Sequence, residues 1–179
     1  MQPQHLHLLP LDTLVDQHLV RQAAEPDGEP RFAMLQMTRE FALEQLAASG
    51  ETPTLLRRHA EALLAILVPV NDRRFALTLA ESVRLGAELD NLRAALAWAE
   101  SEADNRSLAF ELISSSRCIW FNLNLLNEGI ERALRLLPLP DGLPLDIEAR
   151  FNLLLGSLGY LGARRECFLA ALRAAELYR

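Results

Sequence analysis

One stretch of the sequence shows how most of the chain is built: Gln36-Met-Thr-Arg-Glu-Phe-Ala-Leu-Glu-Gln-Leu-Ala-Ala-Ser-Gly50-Glu-Thr-Pro53. Met37 and Phe41 fall four residues apart, on one side of a helix. Gly50 is the residue type that most often ends a helix, because glycine adopts a left-handed backbone without steric cost. Thr52 and Pro53 then suit the N-cap and the first position of a new helix. The stretch predicts two helices joined by a short turn.

Upstream of this stretch the pattern changes from helix to strand. Leu11 to Val20 has helical spacing, whereas Leu19 to Ala23 and Arg31 to Leu35 are short candidate strands. Between the strands, Asp27-Gly28 with flanking prolines is a turn signal, since glycine tolerates a positive φ and proline cannot continue a ladder. We therefore predict a β-hairpin. A helix followed by a hairpin is typical of the end of a winged-helix domain.

Downstream, every segment predicts helix. One helix is predicted to run to about Val68, and Asn71 or Asp72 is predicted to cap the next. Gly86 is predicted to give a kink or a short break before a helix over 87–101. Asp104 is predicted to cap a single helix through Ile119. Further helices are predicted at 123–137, 145–160 and 163–178, with a rigid loop at Pro138 to Pro144. Paired helices joined by short turns build α-solenoids.

The predicted fold is therefore mostly α: a winged-helix remnant with a β-hairpin, followed by antiparallel helix pairs in a tetratricopeptide-like α-solenoid. We expect three segments. Residues 1–35 form the end of the winged helix, 36–102 a helical linker, and 103–179 the helix pairs.

Composition narrows the possible functions. The 18 basic residues are all arginine, so a P-loop lysine or a lysine Schiff base is impossible within the chain. The net charge is −6, whereas nucleic-acid binding usually leaves a basic footprint. Cys118 and Cys167 lie in apolar helical stretches, and we expect both to be buried free thiols. With neither a signal peptide nor an apolar run long enough for a membrane span, the expected location is cytoplasmic.

Three segments together resemble one family. They are Arg31-Phe-Ala-Met-Leu-Gln-Met-Thr-Arg-Glu-Phe-Ala-Leu-Glu-Gln-Leu-Ala-Ala-Ser-Gly-Glu51, Arg57-Arg-His-Ala-Glu61 and Ala87-Glu-Leu-Asp-Asn-Leu-Arg-Ala-Ala-Leu-Ala-Trp-Ala99. This arrangement resembles the region after the nucleotide-binding core of bacterial STAND-type signalling ATPases, the large LuxR-like and antibiotic-regulator-like transcriptional regulators. The resemblance covers Leu11 to Ala99. Beyond it, Gly156, Tyr160, Ala171 and Ala175 resemble tetratricopeptide positions without a strict 34-residue period.

The resemblance implies a particular place in a regulator. In that family an ATPase module is followed by a winged helix, a helical linker and tetratricopeptide-like repeats. The chain has no Walker motif, no ATPase core and no recognisable output DNA-binding domain. It would then carry neither ATP hydrolysis nor the main DNA contact, and its partners would include an upstream nucleotide-binding ATPase domain.

Aromatic and amide residues offer a candidate groove for a partner protein or a small inducer. The set is Trp98, Trp120, Phe121, Asn122, Asn124 and Tyr160. Trp120-Phe121 followed by the two asparagines combines aromatic area with adaptable amides, although aromatics at such spacings more often pack in cores.

Other polar residues carry weaker signals. His5 and His7 lack a third metal ligand, so no metal site is predicted. His59 is predicted to be a helix-surface histidine without a nucleophile to serve. Glu88 and Asp90, two residues apart, point to different sides of a helix. Together with Arg93 they are expected to provide capping or a salt bridge that joins the linker to the repeats.

Three functions remain as alternatives. The first is a non-catalytic interaction and sensing module of a bacterial transcriptional regulator, with no cofactor and no direct nucleic-acid or membrane contact; self-association is compatible with it. The second is a winged-helix DNA-binding protein with a helical dimerisation tail. Asp12 and Asp16, in a predicted helix without a basic residue, argue against it. The third is a small helical enzyme, for which the sequence offers no nucleophile–base pair.

Overall fold

The hairpin predicted near the start of the chain is present. In the computed structural model, which describes residues 11–23, 30–73, 76–159 and 165–178, strand β1 (Val20–Ala23) pairs antiparallel with β2 (Arg31–Met34). The register places Val20 opposite Met34 and Ala23 opposite Arg31. The predicted turn at Asp27-Gly28 lies outside the described residues.

Helix α1 (Leu11–Asp16) is shorter than the predicted Leu11 to Val20. The backbone at His18 has φ 57°, a left-handed conformation that a continuing helix excludes. The amide of Leu19 donates to Leu14 O at 3.0 Å. The chain therefore leaves the helix at this turn and enters β1 directly.

The helix stop predicted at Gly50 is confirmed. Helix α2 (Gln36–Ser49) ends there with φ 75°. The hydroxyls of Ser49 and Thr52 donate to the carbonyl oxygen of Leu46 at 2.9 and 3.1 Å, which satisfies a carbonyl of the last turn. Thr52, predicted to be the N-cap of the next helix, is its first residue instead and caps the preceding helix end.

The chain divides into two compact units, residues 1–53 and 54–179. Among the side chains described in the first unit, Val20 alone is fully buried. The second unit holds the core. Its helices are α3 (Thr52–Leu67, which begins two residues before the boundary), α4 (Leu79–Ala87), α5 (Leu89–Ser101), α6 (Arg106–Ser115), α7 (Arg117–Asn122), α8 (Leu126–Leu136), α9 (Leu145–Leu158) and α10 (Arg165–Leu177), with 3-10 turns at Val68–Arg73 and Ala103–Asn105. The mostly α prediction is confirmed.

Helix α4 begins later than predicted. Thr78 Oγ1 accepts from the amide of Glu81 at 3.2 Å, and Glu81 accepts from the amide of Thr78 at 2.8 Å. This reciprocal pair is a capping box. The prediction that Asn71 or Asp72 caps this helix was wrong, because those residues belong to a 3-10 turn.

Helix α6 is the centre of the core and contacts α5, α8 and α9. It is buried on nearly every side, with Phe110, Leu112 and Ile113 fully covered. The rings of Phe110 and Phe151 meet edge-to-face at 4.8 Å between centroids. One continuous core therefore runs from α3 to α10.

The single helix predicted from Asp104 through Ile119 is divided in two. At Ser116 the backbone leaves helical geometry (φ −98°, ψ 7°). The hydroxyl of Ser114 donates to Phe110 O, and that of Ser116 donates to Ile113 O at 2.8 Å. Such side-chain bonds compete with the helical ladder and bend it. The spacing of apolar residues does not reveal these serine hydrogen bonds, so it predicted one continuous helix.

Helices α9 and α10 form the predicted antiparallel pair. As α9 advances, its contacts move backwards along α10: Glu148 pairs with Arg173, Gly156 meets Ala171, and Gly159 meets Cys167. A Cβ at Gly156 would lie 2.7 Å from the Cβ of Ala171. The close packing of the α9 backbone against α10 at this point therefore requires a glycine. Within the described ranges, no helix is both long and apolar enough to cross a membrane.

Candidate ligand-binding site

A pocket of about 510 Å³ opens at the start of α8. Its wall combines the loop before α8, the first turns of α8 and the end of α9. The lining residues are Asn124, Leu125, Leu126, Asn127, Glu128, Ile130 and Leu158.

The local sequence explains the position of the two asparagines. Asn124 has φ 55°, and asparagine is among the few residues that adopt this left-handed conformation readily. The amide of Asn124 donates to Phe121 O at 3.1 Å, and that of Leu125 donates to Trp120 O at 2.8 Å. This turn closes α7 and starts α8. Asn124 and Asn127 are both exposed, three residues apart at the start of α8.

Behind the pocket, Gly129 lets α8 pack directly on the core. A Cβ at this position would lie 2.8 Å from both Trp120 Cγ and Leu158 Cδ1. Trp120 is 0% exposed, and its indole Nε1 donates to Ser116 Oγ at 2.8 Å. The tryptophan therefore supports the pocket from beneath and is not available to a ligand.

Glu128 joins the pocket to α5. Its carboxylate accepts from Arg93 Nε at 2.9 Å and from Arg93 Nη2 at 2.7 Å. Arg132 lies 3.5 Å from the same carboxylate and 3.3 Å from Glu100 Oε1. Of the polar edge formed by Glu88, Asp90 and Arg93, Arg93 makes a salt bridge from α5 to α8, with Glu128 as its partner. Asp90 pairs with Arg93 on its own helix, and Glu88 accepts a hydrogen bond from Asn91.

These ion pairs fix the protonation of the cluster. Hydrogen bonds from Arg93, with the charges of Arg93 and Arg132, lower the pKa of Glu128 below its ordinary value. The hydrogen bonds that Arg93 donates to Glu128 raise the pKa of Arg93. Glu128 is therefore a carboxylate at neutral pH.

The five predicted groove residues that the structure describes do not line one groove. Asn124 lines the pocket, whereas Trp120 lies in the core. Trp98 and Phe121 are half-buried against the core, and Asn122 is exposed outside the pocket lining. Tyr160 lies outside the described residues.

Asn127, Glu128, Ile130 and Leu158 were missed by the sequence reasoning. Asn124 and Asn127 place two amides three residues apart in the sequence, one in the turn before α8 and one in its first turn, and this local spacing is visible in the sequence. The contribution of Leu158, more than twenty-five residues later, was not visible in any local pattern.

A second, smaller cavity of about 330 Å³ lies along the α9–α10 pair and is lined mainly by small or apolar residues, among them Gly156, Ala171 and Tyr178. The residues described in its lining include neither an asparagine nor a carboxylate.

Of the remaining candidates, one histidine and both cysteines lie in the described part of the chain. His59 is half-buried on α3. Cys118 and Cys167 are buried, as predicted, and burial raises the pKa of Cys118 to about 11. Among the residues the structure describes, no group of three or more His, Cys, Asp or Glu side chains could hold a metal ion. His5 and His7 lie outside that part of the chain.

Comparison with known proteins places the chain beside bacterial regulators. Over 125 residues, 67% of the chain, it is 36% identical to a protein of Mycobacterium bovis that is provisionally named an HTH-type transcriptional regulator, Mb0914c. Proteins of Mycobacterium tuberculosis strains CDC 1551 and H37Rv, with the same kind of name, match with the same identity and coverage. The match spans 13% of the length of each relative. No family model matches the chain, and no solved structure matches it significantly.

Proposed function

We propose that the chain is a non-catalytic sensing module of a bacterial transcriptional regulator, which binds a small inducer or a partner protein through its helical part. One observation carries the proposal: 67% of the chain matches proteins named as transcriptional regulators, at 36% identity. The match spans only 13% of the length of those proteins. This small share supports a role for the matched region as one module among others.

The finer assignment follows the resemblance to STAND-type regulators. In such a protein the hairpin unit, residues 1–53, would transmit a signal between an upstream nucleotide-binding ATPase domain and tetratricopeptide-like helix pairs. The α8 pocket supports a sensing role, because it is concave, mixed in polarity and tied by Glu128 to another helix. A ligand that prefers one arrangement of such linked helices shifts the population toward it.

Direct DNA binding is the alternative that needs a test. The net charge of −6 and the acidic first turn of α1 argue against phosphate contact. Fluorescence anisotropy with labelled duplex DNA at low salt measures it directly. We expect no binding at micromolar protein. Binding that weakens steeply as salt rises would replace the sensing proposal with the DNA-binding one.

A reporter assay addresses the regulatory role itself. The gene that encodes the chain is expressed with a transcriptional reporter, with and without substitutions confined to the second unit that leave the fold intact. We expect such substitutions to change the response of the reporter to inducing conditions. A reporter response that no surface substitution in residues 54–179 alters would contradict the proposal.

A further inference from the structure

We propose that the α8 pocket binds an uncharged small molecule that carries amide or hydroxyl groups on a compact apolar body, and that Glu128 transmits its presence to α5. The inference rests on the proposed sensing function and deepens it by naming the chemical class of the ligand and the residues that read it.

The size of the pocket sets the scale of the ligand. Its volume of about 510 Å³ falls within the roughly 300–1,000 Å³ typical of small-molecule sites. Leu126, Ile130 and Leu158 give it apolar walls from two helices.

The two asparagines define the polar contacts. Each carboxamide offers two N–H donors and a carbonyl acceptor. In the described part of the chain, no residue forms a hydrogen bond with either side-chain amide of Asn124 or Asn127, and both residues are exposed. Paired donors and acceptors, three residues apart, complement a ligand that itself both donates and accepts, as amides and hydroxyls do.

The charges around the pocket favour a neutral ligand. Among the lining residues that the structure describes, Glu128 is the one that is ionisable, and it is held by Arg93 at 2.7 Å. An anion would meet this carboxylate, and the described part of the lining holds no cation to compensate it. A cation would compete with Arg93, which already binds both carboxylate oxygens, and with Arg132, which lies against Oε1.

Glu128 also supplies the link to the rest of the unit. The same carboxylate that faces the pocket accepts two hydrogen bonds from Arg93 on α5. A ligand that hydrogen-bonds to Glu128 must share or rotate this carboxylate. A bound ligand thereby changes the Arg93–Glu128 hydrogen bonds that join α5 to α8. The core beneath Gly129 does not have to move.

The test uses three matched probes on the intact chain: N-acetyl-leucinamide, which is neutral, N-acetyl-leucine, which is anionic, and leucinamide, which is cationic. Binding is followed by NMR through the side-chain amide signals of Asn124 and Asn127 and the Nε–H signal of Arg93. We expect the neutral probe to shift all three signals and to bind at least tenfold more tightly than either charged probe. Equal binding of the anion, no binding of the neutral probe, or shifts confined to the Gly156–Ala171 cavity would overturn the proposal.

Variants separate the site from its surroundings. Asn127→Leu is expected to weaken the neutral probe at least tenfold, and Asn127→Ala gives a second test should leucine disturb the fold. Asn122→Leu removes an exposed amide outside the pocket lining and should leave binding unchanged. Glu128→Gln removes the carboxylate that Arg93 shares with the ligand, so it should abolish the ligand-induced shift at Arg93. Unchanged binding in both Asn127 variants would refute the site.

The experiments distinguish a failure of the proposed ligand class from a failure of the proposed sensing function. Selective binding of the neutral probe by a chain that also binds duplex DNA would keep the pocket and remove the sensing-only role. Absence of probe binding in a chain whose second unit still controls the reporter would remove this ligand class and keep the proposed function.

Discussion

Gly129 shows how much a single hydrogen atom in place of a methyl group can determine. Gly129 faces the indole of Trp120 and the side chain of Leu158. A Cβ added to Gly129 would lie 2.8 Å from an atom of each, which is closer than Cβ atoms come to their neighbours in real proteins. The approach of α8 to α7 and α9, and with it the shape of the pocket, depends on this one position.

Gly129→Ala should therefore destabilise the protein by about 1–3 kcal/mol, the usual cost of overpacking a core. Equilibrium urea unfolding measures the difference. Gly86→Ala is the matched control, since it is also helical and its Cβ would meet only the side-chain end of Leu123, at 3.3 Å. Alanine's better helix propensity should make that variant neutral or slightly more stable. Equal losses in the two variants would contradict the packing argument.

The hydrogen bond between Trp120 and Ser116 offers a second test at this scale. Ser116→Ala removes the acceptor of a fully buried indole N–H. A buried donor without a partner costs about 1–3 kcal/mol, and we expect a loss of that size in urea unfolding. Ser101→Ala, at the exposed end of α5, should change stability by less than about 0.5 kcal/mol. The argument fails if Ser116→Ala is as mild as the control.

The capping box at the start of α4 connects two residues to the stability of a whole element. Thr78→Ala removes the acceptor for the amide of Glu81 and should cost about 1 kcal/mol. Thermal unfolding followed by circular dichroism detects the loss. Thr54→Ala, in the exposed first turn of α3, makes none of these bonds and serves as control. An unchanged melting temperature for Thr78→Ala would show that the cap does not stabilise α4.

The link between α5 and α8 depends on pH. Since Arg93 lowers the pKa of Glu128 from its ordinary 4.5, the stabilisation is complete above about pH 5 and is lost as pH falls through the lowered folded-state pKa. Glu128→Gln should cost about 1 kcal/mol at neutral pH. The difference from the unmodified protein should shrink in acid.

Glu131→Gln is the matched control on the same helix. Glu131 is exposed and forms no ion pair with any residue the structure describes. Its substitution should leave unfolding nearly unchanged across the same pH range. A Glu128→Gln penalty that persists undiminished in acid would mean that packing, rather than charge, holds the two helices.

Elements bounded by a local chemical signal could be predicted from the sequence. Gly50 ends α2 where its backbone preference predicts, and the hairpin strands lie within a residue or two of their expected positions. Errors arose where two local signals competed. Thr78 and Glu81 form the cap that was assigned to Asn71 or Asp72, and the serines at 114–116 divide a helix whose apolar spacing is continuous.

At the scale of the whole molecule, burial is distributed very unevenly. Helix α2 has no buried residue, whereas α6 has seven. Local opening needs little free energy where few apolar contacts must break. Hydrogen exchange read by mass spectrometry should therefore show α2 amides exchanging orders of magnitude faster than those of α6. Comparable protection in the two helices would contradict this expectation.

The candidate site shows why the residues of a binding surface are harder to predict from the sequence than the helices are. Trp120 is a residue type that often lines binding grooves. It is buried here because Gly129, nine residues later, lets α8 pack over it. Leu158 reaches the pocket from α9. Both facts depend on contacts between distant parts of the chain, which helical spacing does not encode, whereas the neighbouring amides of Asn124 and Asn127 are local.

The burial of Trp120 gives the protein a built-in optical reporter. The chain has two tryptophans: Trp98, which is half-buried, and Trp120, which lies in a dry environment directly beneath the first turn of α8. A Trp98→Phe protein would emit from Trp120 alone, at the short wavelengths of an indole shielded from water. Any event that lifts α8 would redden or quench that emission, so the state of the pocket can be followed in real time without an attached dye.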